Sequence, residues 1–514
     1  MAPPVAGPVL ATLLAVLAGA AAAQEPLSAI DWLSKSVTEP AQTAAYPAPE
    51  EPAVAGGALP ESIAVSPLDG PSPDALGLLP PQVTGLPRAL WGLGRTAEIA
   101  ARITAERTDT LPTLQALLIT LLLAEAEAPA DAAGRGVLLL ARIDKLLEMG
   151  ALEQAAALLE ASGARTVDLF RRSFDVALLT GTEDAACEAM RGSPDLAPTF
   201  TARVFCLARA GDWNASALTL RTAQALGFVT PEEDALLSRF LDPDLYEEDP
   251  ALPNPARPTP LVWRLFEAIG EPLPTQGLPL AFSHAELREQ AGWKAQVEAA
   301  ERLARAGVIS PNQLLGLYTS RQPAASGGVW DRIEAFQTFD AALARKDAAA
   351  VAQALPAVWD RMTEAELEVP FAALYAEPLL AMRLPDVAGA LAFRIALLSD
   401  RYEQAAVSRK PTGTTEAFLI GIARGSVEGV TPIDSMGRAI APAFLAPAPS
   451  AEALALLEEN RLGEALLLAM DSIAGGVQGN LRGVTEGLAL LRHVGLEEAA
   501  RRTALELLLL ERRG

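Results

Sequence analysis

Apolar residues recur at helical spacing from about Leu90 onwards, and few segments alternate between apolar and polar positions as strands do. In the run VLLLARIDKLLEMGALEQAAALLEASG, which begins at Val137, two amphipathic helices meet at Gly150. The apolar residues are mostly Ala and Leu, both strong helix formers. The pattern therefore predicts an all-α protein.

Helix ends recur at regular intervals in this part of the chain. Gly150, Gly181 and Gly211 are spaced by 31 and 30 residues, and each follows a predicted helix. Small residues come shortly after each glycine: Ala155, Ala185, Ala186, Ala215 and Ala217. Because glycine ends a helix and alanine allows close helix packing, the pattern predicts a repeated helix–turn–helix unit.

The C-terminal third shows the same helix–turn–helix pattern in SDRYEQAA, ENRLGEALLLA and VGLEEAARRTALELL. Leu462 and Leu496 in these segments are spaced by 34 residues. Residues 137–227 and 394–513 thus resemble degenerate tetratricopeptide-type repeats, although their Trp-x-x-Leu-Gly start is absent. The resemblance implies an α-solenoid of stacked helical hairpins. Such a stack presents a concave surface that binds peptides or other proteins.

The N-terminal run VLATLLAVLAGAAAAQ indicates a secretory signal cleaved before Gln24, although its first residues lack Lys and Arg. An uncleaved membrane anchor is the alternative; the mature chain is expected to have no integral membrane span. A short amphipathic segment with Ile30, Trp32 and Leu33 follows, and then a Pro-rich, disordered linker. This segment either docks on a partner or packs on the protein itself.

Breaks in the pattern divide the chain. The predicted parts are a signal peptide (1–23), the amphipathic segment (24–37), the linker (38–82), an N-terminal repeat block (88–241), an acidic Pro-rich break (242–260), a central helical section (261–385) and a C-terminal repeat block (386–514). The central section, with PAASGGVWDR, resembles that of uncharacterised secreted bacterial proteins sometimes labelled antifreeze glycopeptide polyprotein. The Ala-Ala-Thr repeat that such a label suggests is absent.

The net charge and the cysteine content argue against two kinds of function, nucleic-acid binding and zinc binding. The formal net charge is −23, so nucleic-acid binding is not expected. The only cysteines, Cys187 and Cys206, lie on neighbouring predicted helices, and in an oxidising compartment this favours a disulfide. Two buried thiols or a redox or metal role are the alternatives. A zinc site is disfavoured because the two histidines, His284 and His493, are distant in sequence.

No catalytic, nucleotide-binding or metal motif stands in the chain, so we expect neither enzymatic activity nor a cofactor. Ser283 and Glu286 suggest a capping box around His284. The loop Ala324–Gly328 either binds an anion through its glycine amides or is a plain turn. An anion site would require Arg321 and Arg332 to face the loop.

These patterns predict a non-catalytic periplasmic scaffold or adaptor that binds an envelope protein or peptide. The candidate partner-binding residues are Ile30, Trp32, Leu33, Ser326, Gly327, Gly328 and Trp330. Trp213 and Trp359 are further possible contacts, with the protein core as their alternative place. The alternative function is a peptidoglycan-associated protein resembling the superhelical part of lytic transglycosylases. Their catalytic Glu-Ser module is missing, since Glu61–Ser62 falls in the linker.

Overall fold

The computed structural model describes residues 72–163 and 166–510, and this part of the chain is all-α. Its α-helices are α1 Pro81–Thr84, α2 Thr96–Ala105, α3 Pro112–Leu123, α4 Val137–Glu148, α5 Leu152–Ser162, α6 Val167–Thr180, α7 Glu183–Gly192, α8 Phe200–Arg209, α9 Trp213–Leu226, α10 Pro231–Leu241, α11 Pro260–Ala268, α12 Trp293–Arg305, α13 Pro311–Thr319, α14 Val329–Ala344, α15 Ala348–Glu364, α16 Glu368–Ala381, α17 Asp386–Leu397, α18 Tyr402–Ser408, α19 Thr414–Ala423, α20 Ser435–Leu445, α21 Ala451–Glu458, α22 Leu462–Val477, α23 Leu481–His493 and α24 Glu497–Leu509.

Short 3₁₀ helices span Pro73–Ala75, Pro194–Leu196, Pro243–Tyr246 and Leu280–Leu287. Pairing of extended backbone in the described residues is limited to one isolated bridge between Leu79 and Ala124. The predicted signal peptide, the amphipathic segment and the linker up to residue 71 lie outside the described residues.

The predicted helix ends are confirmed at all three glycines. Gly150, Gly181 and Gly211 have φ angles of 75°, 79° and 79°, in the left-handed region that favours glycine. The next helices then begin at Leu152, Glu183 and Trp213. Consecutive helices contact one another, as α7 does α8 and α8 does α9.

The linker ends earlier than its prolines indicate. The sequence assigns residues 72–82 to the linker, whereas in the structure they pack on the helices. Asp74 is fully buried and its carboxylate accepts a hydrogen bond from the backbone N–H of Leu139 at 2.8 Å, at the start of α4. Proline is compatible with this packing because it stands at the first position of the 3₁₀ helix and of α1.

Arg142 on α4 links residues 72–82 to the end of α3 by hydrogen bonds. Its guanidinium is buried and donates to the carbonyls of Leu122 at 2.6 Å, Leu76 at 2.6 Å and Ala124 at 3.1 Å. Burial lowers the pKa of Arg142 to about 10, so it stays charged at neutral pH. One buried cation therefore satisfies three carbonyls that lie beyond the regular helical hydrogen bonds.

Helices from the two ends of the described chain contact each other directly. α3 contacts α24, and both α2 and α3 contact α22. No side chain of its own loop caps α3, whose N-cap position is Leu111. The carboxylate of Glu506 on α24 takes that role, accepting from the Thr113 backbone N–H at 3.0 Å and from the Thr113 hydroxyl at 2.6 Å. We call the contacts between residues 90–113 and 459–506 the terminal seam.

Backbone pairing and an ion pair extend the terminal seam. The Gly463 N–H donates to the Leu90 carbonyl at 2.8 Å. A side chain on Gly463 would collide with the ring of Trp91, so glycine permits this close approach. Nearby, the fully buried Glu464 accepts two hydrogen bonds from Arg461, at 2.6 and 2.7 Å.

Replacement of Glu506 by alanine is expected to lower the free energy of unfolding by about 2 kcal/mol, because the buried N–H and hydroxyl of Thr113 lose their acceptor. Thermal or urea unfolding measures the change. The matched control is Glu498→Ala on the same helix, whose exposed ion pair with Arg502 should contribute less than about 1 kcal/mol. Equal losses in the two variants would contradict the capping role.

Candidate protein-binding surface

The two cysteines form a disulfide. Cys187 on α7 and Cys206 on α8 are bonded, with their Cα atoms 5.0 Å apart. The interpretation as a disulfide is thus confirmed, and the alternatives of free thiols or a metal site are wrong. The bond joins two contacting helices across the turn that contains Pro194–Leu196.

The loop Ala324–Gly328 lies on the surface ahead of α14, and Ser326, Gly327 and Gly328 are exposed. The Gly327 N–H already donates to the Asp331 carboxylate at 2.7 Å. The guanidinium of Arg332 contacts the Glu301 carboxylate at 2.6 and 2.8 Å and therefore does not face the loop. The geometry supports a turn rather than an anion site.

The remaining candidate partner-binding residues are Trp330 and three residues of the N-terminal amphipathic segment. Trp330 is partly buried and packs on Trp293, with ring centroids 5.1 Å apart. Ile30, Trp32 and Leu33 lie outside the described residues. Partner binding by these residues stays a prediction.

His284 has a structural environment. It lies in the 3₁₀ helix Leu280–Leu287, and its Nε2 is 2.7 Å from the Gly150 carbonyl, to which the neutral ring donates. Burial lowers the pKa of His284 from 6.5 to about 4. The expected capping box is not formed: Ser283 is buried inside the 3₁₀ helix, and Glu286 accepts from Arg302 at 3.1 Å.

Several exposed apolar side chains of the described residues lie on helix α9 or just after it. Four large side chains on it and just after it have exposed fractions between one half and two thirds: Trp213 52%, Leu218 67%, Leu226 59% and Phe228 59%. Leu218, Thr222 and Leu226 follow at intervals of four residues and share one helix face. Clustered exposure of this kind marks an interaction surface more often than scattered single residues do.

The opposite side of α9 packs on the neighbouring helices through a buried hydrogen bond and an aromatic contact. The Ser216 hydroxyl is fully buried and donates to the Val204 carbonyl at 2.7 Å, and the Asp212 carboxylate caps the helix at the Ala215 N–H. The Trp213 ring lies 6.4 Å from the ring of Phe240, which stacks on Phe205 at 5.7 Å. The exposed face is therefore presented on a fixed helix.

Acidic residues are frequent in the sequence on either side of this face. Residues 211–250 contain nine Asp or Glu and two Arg, of which Arg221 is exposed on α9 itself. The acidic residues that are exposed in the structure are Asp212, Glu232, Asp242, Asp244, Glu247, Glu248 and Asp249. We call the exposed face of α9, with Phe228 and these acids, the α9 surface. Its combination of apolar and negative groups is complementary to an apolar, positively charged partner.

Sequence reasoning identified only part of this surface. Trp213 is among the candidate contacts, whereas the sequence pattern singles out none of Leu218, Leu226 and Phe228. The available signal was the acidic run 242–249, which lies on the surface after α10.

Comparisons with protein-family models, with characterised proteins and with solved structures gave no match. What the structure itself shows is that the described part of the chain is all-α and contains one disulfide. Across residues 72–163 and 166–510, no helix combines the length and apolar character needed to cross a bilayer.

Removing the disulfide with Cys187→Ser/Cys206→Ser should lower the free energy of unfolding by about 3 kcal/mol, because closing a loop of about 20 residues restricts the unfolded chain. Urea unfolding with and without a phosphine reductant measures the effect. The reductant should destabilise the wild type and leave the double variant unchanged; a wild type indifferent to it would contradict the prediction.

Acid should destabilise the protein through His284. The pKa of this residue is about 4 in the folded chain and 6.5 in the unfolded one, so the unfolded state takes up the proton first. Stability present above pH 6.5 is therefore lost as the pH falls towards 4. Unfolding free energies across this range should fall less steeply for His284→Gln. An unchanged slope in His284→Gln would contradict this role of the buried imidazole.

Proposed function

We propose that this chain is an exported, non-catalytic scaffold or adaptor of the cell envelope, built as an α-solenoid of tetratricopeptide-like hairpins. On the α9 surface it binds a positively charged, apolar segment of another envelope protein. The single observation that carries the proposal is an exposed apolar helix face whose opposite side packs on the protein, in a segment rich in exposed acidic side chains.

Two features support export to the periplasm. The first is the apolar N-terminal run that ends in small residues before Gln24. The second is the disulfide between Cys187 and Cys206, since disulfides persist in oxidising compartments. The solenoid is supported by the regular glycine-ended helices and by contacts between successive helices from α4 to α10.

The charge of the α9 surface indicates the charge of a complementary partner segment. The α9 surface would repel an acidic segment and attract Lys and Arg, whereas its leucines and aromatic rings require apolar contacts. The protein's own segment 24–37 contains Glu25, Asp31 and Lys35 and thus has no positive excess. It does not complement the surface, which favours a partner in trans.

The test places a photo-crosslinking amino acid at position 218 of the full-length protein in intact cell envelopes. The matched control position is Val407 on α18, which is 72% exposed and lies in a different part of the chain. We expect a discrete protein adduct from position 218 that is missing from position 407. Peptide mapping should place the crosslink in a segment rich in Lys or Arg.

A second change separates specific from adventitious capture. Leu226→Asp places a charge in the apolar face and should reduce the adduct at least about tenfold, since an unpaired charge in an interface is costly. Val407→Asp should leave the yield of the adduct unchanged. Added salt should lower this yield, because it screens the attraction between the acidic surface and a basic segment. Identical adducts from both positions, or a crosslinked acidic segment, would refute the proposal.

A further inference from the structure

A cavity of about 450 Å³ lies between α7 and α8, the two helices that the disulfide joins. Each helix lines it with residues spaced as one helix face: Asp184, Cys187, Glu188 and Arg191 on α7, and Arg203, Cys206, Leu207 and Ala210 around α8. Both cysteines belong to the wall, so the disulfide forms part of it. The volume is within the range of sites for small organic ligands. We call this site the α7–α8 cavity.

The pairing of the two helices places two arginines at the same end of the α7–α8 cavity. The disulfide and the ion pair between Asp184 and Arg209, at 2.7 Å, define an antiparallel register. Arg191 follows the disulfide by about one helical turn on α7, and Arg203 precedes it by about one turn on α8. Both arginines therefore line the end of the cavity that is next to the turn between the helices.

Arg203 differs from the other arginines of the described residues. Its side chain has no hydrogen bond and no ion pair within the described part of the chain, and it is only partly exposed. Every other arginine in residues 72–163 and 166–510 that lacks such a partner is exposed to solvent. A guanidinium that is partly shielded from water is normally paired with an acceptor. Arg203 is thus available to an acceptor from outside the chain.

The other charged side chains of this wall are paired with one another. Arg209 pairs with Asp184, and Arg191 contacts Glu188 at 3.5 Å in a pair whose side chains are both largely exposed. The charges of the two pairs cancel, and Arg203 leaves the wall with one positive charge in excess. The helix dipoles do not reverse this sign, because α7 ends and α8 begins at this end of the cavity and their fields oppose each other.

The uncharged part of the wall is mostly apolar. It consists of Met190, Pro194, Leu207, Ala210 and the disulfide. An inorganic anion would leave these groups in contact with water, whereas an apolar tail would cover them and gain from their burial. The wall therefore favours a ligand that combines one negative charge with an apolar part.

We propose that the α7–α8 cavity binds a small organic monocarboxylate with an apolar tail. Its carboxylate would accept hydrogen bonds from Arg203, since a planar guanidinium matches a carboxylate in geometry as well as in charge. Arg191 would lie beside the carboxylate, and the tail would contact Leu207 and Met190. This site is separate from the α9 surface, since none of its lining residues belongs to α9. It therefore does not depend on the proposed scaffold function.

The probe is 4-phenylbutyrate, a monocarboxylate, together with two compounds that have the same tail, the neutral 4-phenylbutyramide and the cationic 4-phenylbutylamine. Binding to the full-length, disulfide-intact protein is measured by isothermal titration calorimetry at low and at high salt. We expect the carboxylate to bind at one site per chain, more weakly at high salt. The amide should bind at least about fivefold more weakly, and the amine no better than the amide, because neither brings a negative charge to Arg203.

Variants of the two arginines test the location. Arg203→Gln should weaken binding of 4-phenylbutyrate roughly tenfold, the effect of losing one charge-assisted hydrogen bond. Arg191→Gln, at an exposed position, should weaken it roughly threefold through the loss of a neighbouring, partly screened charge. The matched control is Arg345→Gln just after α14, which removes an exposed arginine outside the cavity lining and should leave the affinity unchanged.

Three outcomes would overturn the proposal. They are the absence of saturable binding of 4-phenylbutyrate at millimolar concentration and low salt, equal affinities of the carboxylate and the amide, and equal effects of Arg203→Gln and Arg345→Gln. The last outcome would show only a response to the net charge of the protein. If Arg203→Gln lowers the unfolding midpoint, Arg191→Gln decides the test, and an unchanged affinity in that variant would equally refute the site.

Discussion

A buried carboxylate on α24 joins the two ends of the described chain. Glu506 caps α3 through Thr113, a helix start that its own loop leaves uncapped. The cap holds the first helices of the described chain against the last ones, alongside the pairing of Gly463 with Leu90. Without this closure, residues 107–115 and 474–478 would not form two walls of one cavity. The terminal seam thus brings residues from both ends of the described chain to one open cavity.

The α9 surface and the cavity beside the terminal seam differ in composition. Residues at helix ends and ion-paired side chains form the cavity wall. The α9 surface combines apolar side chains with exposed acids, so it is suited to the larger area of a protein segment. Different helices form the two, since no lining residue of the cavity belongs to α9.

The sequence predicted those features that rest on nearby residues. Gly150, Gly181 and Gly211 mark helix ends because a left-handed residue leaves a local signature, and Cys187 and Cys206 lie on consecutive helices. The terminal seam had no such signature: Thr113 and Glu506 are 393 positions apart and are ordinary helix residues. The prolines of residues 72–82 suggested a linker, although they stand where helices begin. The cavity beside the terminal seam was likewise hidden, since periodicity shows where a helix ends but not which ends converge.

The terminal seam also sets an order of events in time. A chain that emerges from a ribosome or a membrane pore presents Thr113 long before Glu506, and α3 must wait uncapped until nearly the whole chain has appeared. Contacts between such distant residues are slow to form because the loop between them must first be closed. The packing of α2 and α3 against α22 and α24 is consequently expected late in folding, whereas the contact of α2 with α4 forms between nearby parts of the chain.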